Sequence, residues 1–281
     1  MIDLHTHTDE SDGSFSPQQL MIAAAQANLE AIAITDHDTF AGFDEAARHA
    51  AAFPGELICG IELATRYRGR SVHLLGYFLD GVPDGAFRGW LNGVQKSRRE
   101  RNERLIERLQ GRGVDITLDD VRRHGKGLIG RPHFAAALVE KGYADSIQGA
   151  FKKYLDESGA CFVPRNEPAF AEAVSRILEA RGLPSLPHPG RVSTDYAALE
   201  ESVCEMQRLG LRGIEAYHSD HSAADVDFYK SLAGKFSLAI TGGSDFHGTA
   251  KPQIALGAGK NGNVRVPLKV LDRMKRYSGR S

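Results

Sequence analysis

Met1-Ile2-Asp3-Leu4-His5-Thr6-His7 opens the chain as a short apolar run with two imidazoles, one residue apart, at its end. Alternate residues on an extended segment point the same way, so His5 and His7 can reach one metal ion. The same construction recurs along the chain. Besides 2–4, β-rich runs lie at 31–34, 57–61, 72–78, 161–163, 185–186, 213–216 and 238–241. Helical patterns separate most of them, and that alternation implies parallel βα units closing into a barrel of seven or eight repeats.

Helix signals support the alternation. Ser16-Pro17-Gln18-Gln19 supplies an N-cap, a proline at the first helical position and a capping glutamine before an alanine-rich helix running to about Asn28. Further helices are expected over 40–52, 168–181, 195–209, 222–233 and 267–277, with Ser222 and Asp225 repeating the capping-box spacing. From 87 to 159 the alternation stops, and Leu91, Val94, Leu105, Ile106 and Leu109 follow helical spacing with no convincing strand. The expected organisation is a barrel of 1–86 and 160–281, with 87–159 as a helical insertion over its mouth. Arg98, Arg99, Arg101, Arg104, Arg108 and Arg112 alternate there with Glu100, Glu103 and Glu107, the pattern of a solvated helix with i,i+4 pairs.

Composition sets bounds on partners. The 281 residues, 42% hydrophobic and 25% charged, suffice for a large core, and a net charge of −1 excludes bulk attraction to nucleic acid or anionic membrane. A polyanionic ligand must therefore be held locally. Cys59, Cys161 and Cys204 form no Cys-x-x-Cys pair, which argues against a zinc knot or disulfide framework and for buried, reduced thiols. No apolar run approaches a membrane span, and the N-terminus carries a metal motif in place of a signal peptide, so a cytoplasmic enzyme without a membrane or obligate protein partner is expected.

The ligand-rich phrases follow in order. His5-Thr6-His7 continues to Asp9, Glu10 and Asp12, three carboxylates competing for one role. Next come Asp36-His37-Asp38, Gly60-Ile61-Glu62 as an acid at a strand end, and His73 inside an apolar strand. Pro187-His188-Pro189-Gly190, Glu215-Ala216-Tyr217-His218 and Gly243-Ser244-Asp245-Phe246-His247 complete the series. In closed α/β barrels the C-terminal strand ends build the active site. Imidazoles and carboxylates without thiolate suit Mn²⁺, Zn²⁺ or Fe²⁺, and the set is large enough for two or three ions.

The order His-x-His, Asp, Asp-His, Glu, His, His-Pro, Asp-x-His resembles the polymerase and histidinol phosphatase (PHP) superfamily. Gly130-Arg131-Pro132-His133 and Glu215-Ala216-Tyr217-His218-Ser219-Asp220-His221 resemble its nucleoside 3′,5′-bisphosphate phosphatase branch. The resemblance implies a distorted (β/α)7 barrel and three metal positions: one held by His5, His7, Glu62 and Asp245, a second by Asp12, His37 and His247, and a third by Glu62, His73 and His188. It implies removal of the 3′-phosphate from a nucleoside 3′,5′-bisphosphate, with trimming of short RNA from the 5′ end as a compatible activity. His218 or His188 is the candidate acid for the leaving oxygen, and the task falls to His218 if His188 is a ligand.

Arg131 precedes a proline outside the charged helix, and its planar fork suits a phosphate. His133, Arg191 and His221 complete the expected substrate-binding set, His221 by capping or orienting beside Ser222. Histidinol phosphate is the rival substrate, disfavoured because the arginines suit a polyanion better than an amine. A non-catalytic scaffold is the rival class, disfavoured because every ligand position is filled.

Overall fold

The computed structural model describes residues 1–278. Seven strands form one curled sheet in chain order: β1 (Ile2–Thr6), β2 (Ala31–Ile34), β3 (Glu56–Tyr67), β4 (Arg70–Phe78), β5 (Leu183–Leu186), β6 (Gly213–Tyr217) and β7 (Ala239–Gly242). The sheet curls until the segment after β7 meets β1, where His7 N donates to Phe246 O and Asp245 N to His5 O, both at 2.9 Å. Gly243 permits this approach, because a Cβ there would lie 2.3 Å from His5 N. The architecture is the distorted seven-stranded α/β barrel expected from the ordered motifs.

Helices α1 (Pro17–Gln26) and α2 (Ala41–Arg48) follow β1 and β2, and α1 begins at the Ser16–Gln19 capping box. The segment after β4 carries α3 (Gly85–Gln110), α4 (Leu118–Arg122), α5 (Arg131–Glu140) and α6 (Ile147–Ala150), the last running into a π-helical turn over Phe151–Leu155. The barrel resumes with α7 (Phe170–Glu179), α8 (Tyr196–Arg208), α9 (Ala223–Lys235) and α10 (Lys269–Ser278). On α7, Phe170, Ala173, Val174 and Ile177 fall on one helical stripe, and all four are buried in the core shared with β3 and β4. Burial of side chains the size of Phe170 and Ile177 stabilises the fold by roughly 1.5–3 kcal/mol each.

Three expectations are corrected. The strands are not all parallel: β3 and β4 form a long antiparallel hairpin, and β4 also pairs antiparallel with β5. The hairpin turns at Arg68 and Gly69, whose φ angles of 46° and 77° match the left-handed two-residue turns that suit strand twist. Residues 161–163 are not a strand; Cys161 and Val163 instead pack in the core of the helical segment with Leu105, Leu109 and Phe134. Cys204 is only half-buried, whereas Cys59 and Cys161 are buried, and none of the three forms a disulfide.

α3 serves two cores. Phe87, Leu91 and Val94 pack into the barrel, while Leu105 and Leu109 pack among the insertion helices. Its charged face also differs from expectation: Lys96–Glu100, at 3.8 Å, is its one i,i+4 ion pair among the described residues. Arg98 and Arg101 turn inward and are buried. No described helix is long and apolar enough to cross a membrane.

Candidate metal centre

The ligand-rich phrases converge at one end of the sheet. His5 lies on β1 and His7 just beyond it; His37, His188, His218, Asp245 and His247 follow β2, β5, β6 and β7. Glu62 is not at a strand end, as its sequence context implied, but in the middle of β3. In the hairpin register Ala64 opposes His73 and Glu62 opposes Leu75, so Glu62 and His73 are diagonal neighbours on one face.

Glu62 is the hub. Its Oε1 lies 2.8 Å from His73 Nδ1 and 3.0 Å from His188 Nε2. Its Oε2 lies 3.2 Å from His7 Nε2 and 3.3 Å from both His5 Nε2 and His37 Nδ1. Asp245 Oδ1 sits 3.4 Å from His7 Nε2 and 3.5 Å from His5 Nε2. Asp12 faces His247 Nε2 at 3.3 Å and His37 Nε2 at 3.7 Å. Asp12 is thus the carboxylate of its loop that reaches the cluster; Glu10 instead pairs with Lys126 at 2.7 Å.

Three of these positions are held in strained backbone. Asp38, His188 and Asp245 have φ of 52°, 31° and 58°, a region that costs a non-glycine residue on the order of 1–3 kcal/mol and persists where the surroundings over-determine it. The flanking acids of the second phrase supply part of that support. Asp36 receives Thr8 N at 2.7 Å and the Thr8 and Ser11 hydroxyls, pinning the loop after β1. Asp38 accepts from Arg98 Nε at 3.1 Å and Arg165 Nη1 at 2.7 Å. Burial raises the Asp38 carboxyl, but Arg165 and Arg98 overcome this and hold it well below the usual carboxylate range.

The donor chemistry fits divalent cations. Imidazole and carboxylate atoms group within 4.8 Å of one another in the sets His7–Asp12–His37–His247, His5–His7–Asp245 and His37–Glu62–His73. His7 Nε2 and His37 Nδ1 are buried without any hydrogen-bond partner, a costly state that a bound cation would relieve. Burial drives the His37 and His188 rings down to about 3, leaving them neutral with lone pairs to offer. His7 differs: burial opposes its charge, but Asp245 and Glu62 raise it to about 9.

A further grouping of the same kind, His5–Glu215–His218, also carries hydrogen bonds that orient its members. Glu215 Oε1 accepts from His5 Nδ1 at 2.9 Å and Oε2 accepts from His188 N at 2.7 Å. The carboxylate therefore fixes the tautomer of His5 so that Nε2 carries its lone pair into the centre. His218 has the opposite polarity. Asp220 N donates to its Nδ1 at 3.0 Å, which places the proton of the neutral ring on Nε2, buried and without a hydrogen-bond partner, 3.5 Å from Asp245 Oδ2.

The remaining predicted residues separate. Arg131 and Arg191 line a cleft of about 870 Å³ that also exposes Glu62, His37, His73 and Asp245. His133 does not line it: the buried ring accepts Gly130 N at 2.9 Å and holds the start of α5, the helix that carries Arg131. His221 stands behind His218, ring centroids 5.0 Å apart, with Nδ1 bonded to Ala216 O at 2.9 Å. Sequence reading placed Glu215, Asp38, Arg98 and Arg101 in its motifs and charged run without a role at the site, and it did not single out Arg165 or Lys251; Lys251 Nζ bonds Asp245 Oδ2 at 2.8 Å.

The chain is similar to known proteins in sequence and in fold. The PHP domain pattern matches residues 3–180. The 3′,5′-nucleoside bisphosphate phosphatase of Chromobacterium violaceum is 30% identical over 88% of this chain and 87% of its own. The 5′-3′ exoribonuclease Rnm of Escherichia coli is 31% identical over 91% and 87%. The phosphoribosyl 1,2-cyclic phosphate 1,2-diphosphodiesterase of Eggerthella lenta is 33% identical over 88% and 94%. A solved amidohydrolase of C. violaceum with bound sulfate superposes with a TM-score of 0.84 over 97% of this chain and 96% of its own, at 28% identity.

Proposed function

This chain belongs to the PHP domain family and is a metal-dependent hydrolase of phosphoric ester bonds, and from that premise we propose that it removes the 3′-phosphate of nucleoside 3′,5′-bisphosphates. The products are a 5′-nucleotide and inorganic phosphate, and short RNA is trimmed from its 5′ end by the same cut. The observation that carries the reading is the single cleft joining the imidazole–carboxylate cluster to Arg131 and Arg191. Its volume is that of a small-molecule pocket, and Phe151, Phe162 and Val163 give it apolar wall for a base. The activities of the bisphosphate phosphatase and exoribonuclease relatives support the choice. The arginines disfavour histidinol phosphate, whose amine would meet like charge.

In this reading His5, His7, Glu62 and Asp245 hold one divalent ion, Asp12, His37 and His247 a second, and Glu62, His73 and His188 a third, with Mn²⁺ the proposed occupant. Bound ions supply charge neutralisation at the phosphoryl oxygens and acidify an attacking water. The chain's own residues do the rest. Arg191, 3.6 Å from Asp245 Oδ2, and Lys251 present cations beside the scissile position. His218 holds its proton at Nε2, where the departing 3′-oxygen needs one. Arg131 meets the second phosphate, and residues 87–159 act as the cap that keeps bulk water from the cleft. A cytoplasmic setting, where the free thiols stay reduced, completes the proposal.

Glu215 gives a first check. Burial raises its carboxyl, but His5 and His218 hold it down at about 2, so it is an anion at neutral pH. Glu215→Gln should weaken Mn²⁺ binding to chelator-treated protein by about 10–100-fold, because the His5 tautomer is no longer enforced. An unchanged Mn²⁺ titration would show that Glu215 does not orient His5 for metal binding. The substrate reading itself is tested by competing adenosine 3′,5′-bisphosphate, short 5′-phosphorylated RNA and histidinol phosphate in one assay. The bisphosphate is expected to dominate, and preferential turnover of histidinol phosphate would overturn the choice.

A further inference from the structure

Asp3 is a buried carboxylate that the proposed chemistry does not use. It lies on β1 two residues before His5 and is shielded from solvent. Its Oδ1 accepts Ser244 N at 2.9 Å and His5 N at 3.3 Å, while its Oδ2 accepts Gly257 N at 2.8 Å and the Ser244 hydroxyl. Four donors from three separate stretches of chain meet on one side chain. Gly243 allows the approach, since a Cβ there would lie 2.7 Å from Asp3 Oδ1.

From Asp3 the bonds run to two groups on which the proposed reaction depends. Ser244 is clamped through both its N–H and its hydroxyl, and the next residue is Asp245, held at a φ of 58° with its N–H on His5 O at 2.9 Å. A left-handed aspartate persists where its neighbours over-determine it, and the two bonds from Ser244 fix the peptide that leads into it. Ser244 O in turn accepts the hydroxyl of Ser219, the neighbour of His218. The segment entered at Gly257 returns to the same loop: Asn263 Nδ2 donates to Ser219 O at 2.9 Å, and Lys260 pairs with Asp220. Asp220 is the residue whose N–H sets the His218 tautomer.

We propose that Asp3 is the positioning residue shared by Asp245 and His218, fixing through Ser244 and the segment after Gly257 where the one presents its carboxylate to a metal ion and the other its proton to the leaving oxygen. Only a carboxylate fills this position. In asparagine one oxygen becomes an NH₂ group, which would face either the main-chain N–H groups of His5 and Ser244 or that of Gly257. A hydroxyl can turn to accept, but a main-chain N–H cannot, so either amide orientation leaves a buried donor against a donor. Asp3 thus ties the first strand to the exits of β6 and β7, and the metal position and the acid are set by one side chain.

This inference rests on the metal and acid assignments proposed above, and its test separates the two. Calorimetric titration of Mn²⁺ into the chelator-treated full-length chain should show Asp3→Asn binding about 10–100-fold more weakly than the unaltered protein. The visible absorption of Co²⁺ bound in place of Mn²⁺ should shift as well, because Asp245 presents its oxygens differently. A carboxylate that only held the fold would lower the melting temperature and leave that spectrum alone. At saturating Mn²⁺, turnover of adenosine 3′-monophosphate should fall further than that of p-nitrophenyl phosphate, whose leaving group needs no proton from His218. Asp245→Asn, measured alongside, is the reference. If it binds Mn²⁺ weakly while folded Asp3→Asn binds normally or keeps the ratio between the two substrates, the shared positioning role is overturned and the ligand assignment stands. Normal binding by both variants overturns the ligand assignment and the role of Asp3 with it. Should Asp3→Asn prove poorly folded by circular dichroism, Ser244→Ala, which removes one of the four donors, must move Mn²⁺ binding and the substrate ratio in the same directions, and unchanged values overturn the proposal.

Discussion

Glu62→Gln should lower kcat/KM on phosphoesters by a factor on the order of 10³ or more while leaving the far-ultraviolet circular dichroism unchanged. Both carboxylate oxygens are engaged: Oε1 with His73 and His188, Oε2 with His5, His7 and His37. Removing the charge leaves those rings without their shared anion, and single groups that stabilise developing charge in dry sites already account for factors of 10²–10³. Because Glu62 serves two proposed metal positions, metal content should fall with activity. Burial opposes its ionisation, but His37, His73 and His5 keep the carboxyl well below its usual range. Elemental analysis of the purified variant checks the point: full metal content with full activity would show that Glu62 is not a bridging ligand.

His218→Asn should lower kcat for a nucleoside 3′-phosphate by about 10²–10⁴, the range of general acid catalysis, with metal content unchanged. Its effect on p-nitrophenyl phosphate should be much smaller, because that leaving group departs without a proton. The contrast follows from the bond between Asp220 N and His218 Nδ1, which puts the ring proton on the buried atom facing Asp245. Were His218 a metal ligand, both substrates would suffer together and bound metal would be lost.

The fold and the convergence of imidazoles and carboxylates were legible in the sequence for a physical reason. Strands β1, β2 and β5–β7 are short apolar runs whose next residues carry the chemistry, so one pattern announced both structure and site. Glu62 and His73 fit it less well. They belong to a hairpin whose polar Thr65, Arg66 and Ser71 interrupt the apolar runs, so the strands appeared shorter and separate, and Glu62 looked terminal. Cys161 and Val163 mimicked a strand because burial between helices selects the same residue types as a sheet.

The arginines mark where sequence periodicity stops being informative. Arg98 and Arg101 sit in a run of alternating charges that reads as a solvated helix face, and only the distant Asp38 and Arg165 reveal that this face turns inward. Glu215 was hidden for a related reason. Glu215 stands in a ligand-rich phrase, but nothing in the sequence shows that it spans His5 and His188, which lie far apart along the chain. Paired groups brought together by the barrel's closure are visible only once the closure is known.

The proposed reaction is removal of the 3′-phosphate from a nucleotide held by its other phosphate. Following adenosine 3′,5′-bisphosphate by ³¹P NMR, with Mn²⁺ restored to chelated enzyme, tests it most directly. Loss of the 3′ resonance with matched growth of inorganic phosphate and adenosine 5′-monophosphate is expected, with no reaction before Mn²⁺ is added. Formation of adenosine 3′-monophosphate, or equal turnover in the chelated enzyme, would contradict it.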